Sequence, residues 1–171
     1  MATKKTASRK TAARKTATTG ARKPAAAKKT RRTKQPWKVG DVFQIDLPDG
    51  RFAYGRVYHD ASVGIYRQIT DKPGQPPIGS GDFLFTVGMY DDILTYGQVQ
   101  IIGADPFPDA ESAWPPATCI KDSISGEYSL YHRGEITPST KRRCAGLEEA
   151  AVWDYDHIVE RIMDGGKPAK A

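Results

Sequence analysis

The chain has 171 residues, and its 26 Lys and Arg against 20 Asp and Glu give a formal net charge of +6. The charges are segregated: residues 1–35 hold 13 of the basic residues and none of the acidic ones, so residues 36–171 carry −7. No stretch approaches the roughly 18 consecutive apolar residues of a membrane helix, and no apolar segment of a secretory signal is present. The sequence therefore predicts a cytoplasmic protein without a membrane partner.

Residues 1–35 are low in complexity, because Ala, Thr, Lys and Arg account for 30 of them. Apart from Met1 they contain no large apolar side chain, so they are predicted to be a disordered tail. Their composition resembles the basic tails of linker histones and bacterial histone-like proteins, which implies contacts with DNA or RNA phosphates without sequence preference. A solvated extension without a nucleic-acid partner is the alternative. The candidate contacts are Lys4, Lys5, Arg9, Lys10, Arg14, Lys15, Arg22, Lys23, Lys28, Lys29, Arg31, Arg32 and Lys34.

Residues 36–164 are predicted to form one domain of ordinary size, followed by a flexible C-terminus at 165–171. Asp49-Gly50 is flanked by two runs of alternating side chains, apolar with polar before it and aromatic with small after it, and this pattern predicts a hairpin. Residues 64–69 are predicted to form a third strand. Gly55 is expected to let a Tyr or Trp ring approach the backbone closely across the sheet. Arg56 is interpreted as a buried ion-pair partner, with a ligand contact as the alternative.

The second half of this domain mixes strands, loops and one helix. A loop rich in Pro and Gly at 71–81 precedes a short apolar run at 83–87 that predicts a buried central strand. Further strands are predicted near 98–102 and at 127–132, and residues 141–144 are candidates to pair with the latter. Asp154 is a candidate N-cap for a helix whose apolar face carries the residues Tyr155, Ile158, Val159, Ile162 and Met163.

These elements predict a β-dominated α+β fold: a strongly bent antiparallel sheet packed by a short C-terminal helix. Several blocks of the chain also resemble the immunity protein 26 family. They are GDVFQIDL at 40–47, DGRFAYGRV at 49–57, VQIIG at 99–103, GEY at 126–128, CAGLE at 144–148 and VERI at 159–162. The resemblance spans about residues 37–163. It implies a protein of a bacterial polymorphic-toxin system that neutralises a toxin by binding it and carries no catalytic residues.

Side chains that could support metal or covalent chemistry are not arranged for it. The zinc-ligand types Cys119, His132, Cys144 and His157 are separated by 11 or 12 residues, without the short spacings of a zinc site. No Gly-x-Ser-x-Gly elbow surrounds any serine. No enzyme, metal or cofactor is therefore predicted. The two cysteines are expected to be reduced, as in the cytosol, with a disulfide between them as an alternative.

Acidic residues near aromatic ones are the candidate contacts for a toxin, because an acidic surface would steer a basic partner such as a nuclease and aromatic rings would anchor it. A solvated surface, or charges that complement a helix dipole, is the alternative explanation. Asp91 and Asp92 are expected in a turn between strands. The candidates are Asp91, Asp92, Glu148, Glu149, Asp154 and Asp156.

Two hypotheses follow from the sequence. The first is an immunity protein that blocks a toxin by stoichiometric binding through its acidic domain. The second is a nucleoid-associated protein whose basic tail binds DNA and whose folded domain is an adaptor.

Overall fold

A computed structural model describes residues 34–167; the rest of the predicted tail and the last four residues lie outside the described part. The chain divides into two units, Met1–Arg31 and Arg32–Ala171, and the description concerns the second. The predicted β-dominated α+β class is confirmed, with nine strands in two sheets and three short helices among residues 34–167.

Six strands form the larger sheet, in the order β5-β1-β2-β3-β4-β9. All neighbours in this sheet are antiparallel except β4 and β9, which run parallel. The strands are β1 (Asp41–Asp46), β2 (Phe52–Val57), β3 (Ser62–Tyr66), β4 (Phe83–Met89), β5 (Gln100–Ala104) and β9 (Val152–Trp153). Only two residues of β9 lie beyond β4, so the prediction of a central position for the 83–87 strand is corrected to a place near the sheet edge.

The hairpin around Asp49-Gly50 is confirmed. Gly50 has a φ of 84°, which favours glycine, and Leu47 N donates to Arg51 O at 2.9 Å to close the turn. A ring does lie close over Gly55, but it belongs to Phe43 and not to the expected Tyr or Trp: a Cβ on Gly55 would lie 2.2 Å from Cζ of the fully buried Phe43. The opening of the domain is thus defined by local turn chemistry and one tight backbone–ring contact.

The C-terminal helix, α3 (Tyr155–Met163), is confirmed as well. The Asp154 side chain accepts from His157 N at 2.9 Å, as an N-cap should. Ile158, Val159 and Ile162 join the main core, which they share with strands β1–β4, and Tyr155 packs against it. The prediction is wrong for Met163, which is 42% exposed. Within residues 34–167, neither this helix nor the two shorter ones is long and apolar enough to cross a membrane.

The smaller sheet contains β6 (Thr118–Lys121), β7 (Tyr128–His132) and β8 (Glu135–Ser139), joined as two antiparallel hairpins. The expected pairing of residues 141–144 with β7 is wrong, because these residues form the helix α2 (Lys141–Cys144). Thr140 caps this helix by accepting from Arg143 N. The true partner β8 contains Pro138 and is mostly exposed, so it lacks the apolar alternation that predicts a strand.

The expected turn at Asp91 and Asp92 is instead the start of a helix, α1 (Asp91–Thr95). Ile93 and Leu94 are almost fully buried, and this burial holds a helix of only five residues in place. Gln35, at the end of the predicted tail, donates through its side chain to Leu94 O at 3.1 Å. The described chain therefore begins against α1.

Cys119 and Cys144 form a disulfide, with Cα atoms 5.4 Å apart, so the expectation of two reduced thiols is wrong. The β6–β7 pairing places Cys119 opposite Leu130, and α2 packs on β7, which brings Cys144 beside its partner. The 25-residue separation in sequence contains no sign of this proximity. The argument for a reducing compartment from unpaired cysteines no longer applies.

Candidate partner-binding surface

The parallel pair β4–β9 brings two acidic segments together. Gly88 lies opposite Val152 and Met89 opposite Trp153, and Tyr90 N donates to Trp153 O at 3.2 Å. Each strand leads directly into a helix, α1 after β4 and α3 after β9. Because parallel strands end at the same edge of a sheet, the first turns of both helices lie side by side.

A concavity of about 370 Å³ lies between these two helix starts. We define the acidic surface as the two segments that border it, Tyr90 to Asp92 and Asp154 to Asp156. Three of the predicted contacts, Asp92, Asp154 and Asp156, line the concavity, and Asp91 precedes Asp92 in the first turn of α1. Tyr90 is 54% exposed at its rim. Four of the six predicted acidic residues therefore share one surface.

The charges of this surface are largely uncompensated. Among residues 34–167, no cationic side chain pairs with Asp91, Asp92 or Asp156. The carboxylate of Asp154 accepts the capping hydrogen bond from His157 N, and its Oδ1 also lies 3.1 Å from His157 Nδ1. The helix dipole favours carboxylates at these positions by about 0.3–1 kcal/mol each. Their mutual repulsion around one concavity opposes that gain.

Glu148 and Glu149 lie elsewhere, on the segment between α2 and β9. Glu148 Oε1 accepts from Arg161 Nη2 at 2.6 Å. Arg161 is 4% exposed and lies over the ring of Phe85, with 4.1 Å between its guanidinium carbon and the ring centroid. Removing Glu148 would leave this buried cation unpaired, so we expect Glu148 to stabilise the fold. Glu149 is exposed, and its backbone forms an isolated parallel β-bridge with Cys119.

Arg56 is the structural ion-pair partner that the sequence suggested. Its Nη1 lies 3.4 Å from Asp105 Oδ2, and both side chains are 9% exposed. Asp105 Oδ2 also accepts from the hydroxyl of Tyr66 at 2.7 Å. Burial, and next the bond to Asp105, raise the pKa of the Tyr66 phenol above its usual value. This network joins β2 and β3 to the residue after β5.

Sequence reasoning missed a second concave feature, which we call the inter-sheet cleft. It has a volume of about 390 Å³ and lies where the smaller sheet meets the β4–β9 edge of the larger one. Its walls include Gly88 and Val152 on one side and Thr118 and Tyr131 on the other, with Asp60 at the β2–β3 turn. These residues are far apart in sequence, and no local pattern connects them.

The candidate nucleic-acid contacts, except Lys34, lie outside the described residues, as does nearly all of the predicted tail. The predicted contacts for a toxin are all described, and the structure unites four of them.

A family model described as Immunity protein 26 matches residues 38–130. No curated protein and no solved structure matches the chain. The matched region holds the two opening blocks, the VQIIG block and the GEY motif on which the resemblance rests, and it includes Asp91 and Asp92. The segment from residue 131 onward, with β8, α2, β9 and α3, lies beyond it. Since the match covers more than half of the 171 residues, the chain belongs to the immunity protein 26 family.

Proposed function

We propose that this protein neutralises a toxin protein by binding it stoichiometrically, and that the acidic surface is the contact for a basic partner. The observation that carries the proposal is the convergence of two acidic, tyrosine-bearing segments at the end of the β4–β9 pair, in a member of an immunity family. Protection would come from occupancy of the toxin, without turnover.

Electrostatics and shape support this assignment. The −7 charge of residues 36–171 would attract a basic toxin over a distance, and the local cluster would orient it. Tyr90, exposed beside the carboxylates, offers a rigid aromatic anchor of the kind that dominates binding energy in protein interfaces. Helix capping accounts for Asp154 alone, and it does not require a tyrosine at the rim.

The test is charge reversal with a matched control. We would compare Asp91→Lys/Asp92→Lys with Asp71→Lys/Glu127→Lys, which changes the net charge equally at exposed positions that no described cation pairs with. The partner is an inactivated form of the toxin encoded next to this gene. The first variant should slow association by about tenfold or more at low salt and flatten its salt dependence, whereas the control should retain most of the wild-type rate.

Titration of the active toxin separates binding from catalysis. Inhibition should rise linearly with added wild-type protein and end at one equivalent. Complete inhibition at a small fraction of an equivalent would contradict stoichiometric binding and require an enzymatic activity. If the two charge reversals had equal effects, the immunity function could still stand, but the toxin contact would lie outside the acidic surface.

DNA binding through residues 1–35 is a second candidate function, favoured by the segregation of 13 basic residues into a stretch without acids. Each phosphate contact should contribute about −0.9 to the slope of log affinity against log salt, so the full tail gives a slope on the order of −10. Replacing all Lys and Arg of residues 1–34 by Gln should abolish retention on DNA. Equal retention of this variant would contradict the proposal.

A further inference from the structure

The inter-sheet cleft owes its position to one short segment that ties the two sheets together. Cys119 N, on β6, donates to Glu148 O at 2.7 Å, and Ala150 N donates back to Cys119 O at 2.8 Å. Two residues later, Val152 pairs with β4. The smaller sheet is therefore fastened to the edge of the larger one, and the space left between them is the cleft.

Most of the cleft wall is apolar. Pro115, Pro116, Ile120 and Val152 contribute to it, and Val152 is 56% exposed. Such a wall is suited to hydrocarbon: it offers few hydrogen bonds and gains from losing contact with water. An occupant should therefore present an aliphatic portion to these residues.

The polar groups in the cleft include a carboxylate and a hydroxyl, beside His132 and Arg133, which also line it. Asp60 accepts a hydrogen bond from the Tyr131 hydroxyl. Thr118 Oγ1 is buried and has no hydrogen-bond partner among the described residues. A buried hydroxyl left unsatisfied costs about 1–3 kcal/mol, so an occupant that bonds to Thr118 would recover this free energy. The wall thus combines an unsatisfied hydroxyl with a carboxylate.

The charged side chains that line the cleft are Asp60 and Arg133. Within residues 34–167, no cation pairs with Asp60. Arg133 forms an ion pair with Glu111, which does not line the cleft, and lies over the ring of Trp114. Glu111 therefore balances the charge of Arg133, whereas the charge of Asp60 is not balanced by an ion pair.

We infer that the cleft receives a lysine or arginine side chain of the toxin, and this inference rests on the proposed function. The aliphatic stem of such a residue would lie along the proline and valine wall, while its cationic head would donate to Asp60 and Thr118 Oγ1. The occupant is cationic because Asp60 has no ion-pair partner among residues 34–167 and because residues 36–171 carry a net charge of −7.

The cleft is also continuous with the acidic surface. Gly88 in β4 and Val152 in β9 line the cleft. Two residues after each of them come Tyr90 and Asp154, which line the acidic concavity. Two residues of extended chain span about 7 Å. One toxin surface would therefore cover both features, with the acidic surface as a charged rim and the cleft as the anchor pocket.

Asp60→Asn is the sharpest variant, because asparagine also suits the left-handed conformation of Asp60 and can still accept the bond from Tyr131. Asp71→Asn is the matched control. In the full-length protein, Asp60→Asn should raise the dissociation rate of the toxin by about tenfold while changing association little. Thr118→Val should also speed dissociation. Unchanged dissociation in Asp60→Asn, with tight binding by the wild type, would overturn the inference and leave the proposed function standing.

A probe that needs no toxin separates the two proposals. n-Butylguanidinium, added at millimolar concentration, should shift the backbone amide signals of Asp60, Ala61, Gly88 and Val152 in the NMR spectrum of the wild type. The same signals should not move with neutral n-butylurea, nor with n-butylguanidinium added to Asp60→Asn. Absent shifts, or shifts of equal size in these controls, would overturn the inference that the cleft binds a cation. Localised shifts in a protein that fails to bind the toxin would instead refute the proposed function alone.

Discussion

The two sheets of this domain use similar strand lengths but very different degrees of burial. In the larger sheet, every residue of β3 is buried, as are five of the six in β1 and in β2. In the smaller sheet, β6 and β7 are only half-buried and β8 is almost entirely exposed. No residue of these three strands belongs to the core clusters found among residues 34–167.

This contrast shows that the sheets are stabilised in different ways. The larger sheet is held by apolar burial against α3 and by the buried Arg56–Asp105 pair. The smaller sheet depends on discrete links: the Cys119–Cys144 disulfide and the backbone bonds between Cys119 and the following segment. Both proposed contacts border the β4–β9 edge, where the well-packed sheet gives way to the linked one, so a rigid core positions a surface that is not itself core.

Breaking the disulfide should give the largest effect. The bridge closes a chain of 25 residues, for which loop-closure entropy predicts a stabilisation of about 3 kcal/mol. Cys144→Ser should lose this much, and hydrogen exchange should speed up in β6–β8 while β1–β4 stay protected. Reductant should reproduce the effect in the wild type and do nothing to the variant. Uniform loss of protection across both sheets would contradict their separate stabilisation.

Overfilling the larger sheet should cost less, about 2 kcal/mol in the free energy of unfolding. Gly55→Ala would place a methyl 2.2 Å from the Phe43 ring, which is fully buried, so that the ring or the strand must shift within a packed core. Gly103→Ala, in β5 of the same sheet, is the control, because the nearest atom to its new Cβ lies 3.9 Å away. Urea unfolding should separate the two variants clearly. Equal stabilities would show that the larger sheet is more adaptable than its burial indicates.

Local signals explain which elements the sequence could predict. Asp49-Gly50 and the apolar spacing of α3 each lie within a dozen residues, and both predictions hold. The helix α1 was missed because it is short and stabilised by burial of Ile93 and Leu94. β8 was missed because it contains Pro138 and is exposed.

The candidate site was only half predictable, for a related reason. Residue chemistry singled out the acidic residues, and four of them meet. Their meeting depends on the β4–β9 pairing, which joins segments about sixty residues apart. Glu148 lies apart from these four, and its buried partner, Arg161, is recognisable only after folding. The inter-sheet cleft was invisible to sequence reasoning, since Asp60, Thr118 and Val152 have no common pattern.

The smallest effect should come from two corresponding hairpin turns, one in each sheet. Asp60 and Ala61 in the β2–β3 turn have φ of 60° and 47°, and Arg133 and Gly134 in the β7–β8 turn have 56° and 81°. A positive φ at both central residues is typical of a type I′ turn, which favours glycine at the second of these positions. Ala61 therefore carries strain that Gly134 avoids, about 1 kcal/mol.

Replacing Ala61 by glycine in one turn and Gly134 by alanine in the other measures how each sheet contributes to global stability. Ala61→Gly should raise the free energy of unfolding by about 1 kcal/mol in urea, because the larger sheet unfolds only with the whole domain. Gly134→Ala introduces the same strain, without a steric clash, since no atom lies within 4 Å of the new Cβ. If the smaller sheet opens locally, this strain should appear mainly as faster hydrogen exchange in β7 and β8 and only weakly in global unfolding. A full 1 kcal/mol loss in global unfolding for Gly134→Ala would mean that the two sheets unfold as one unit.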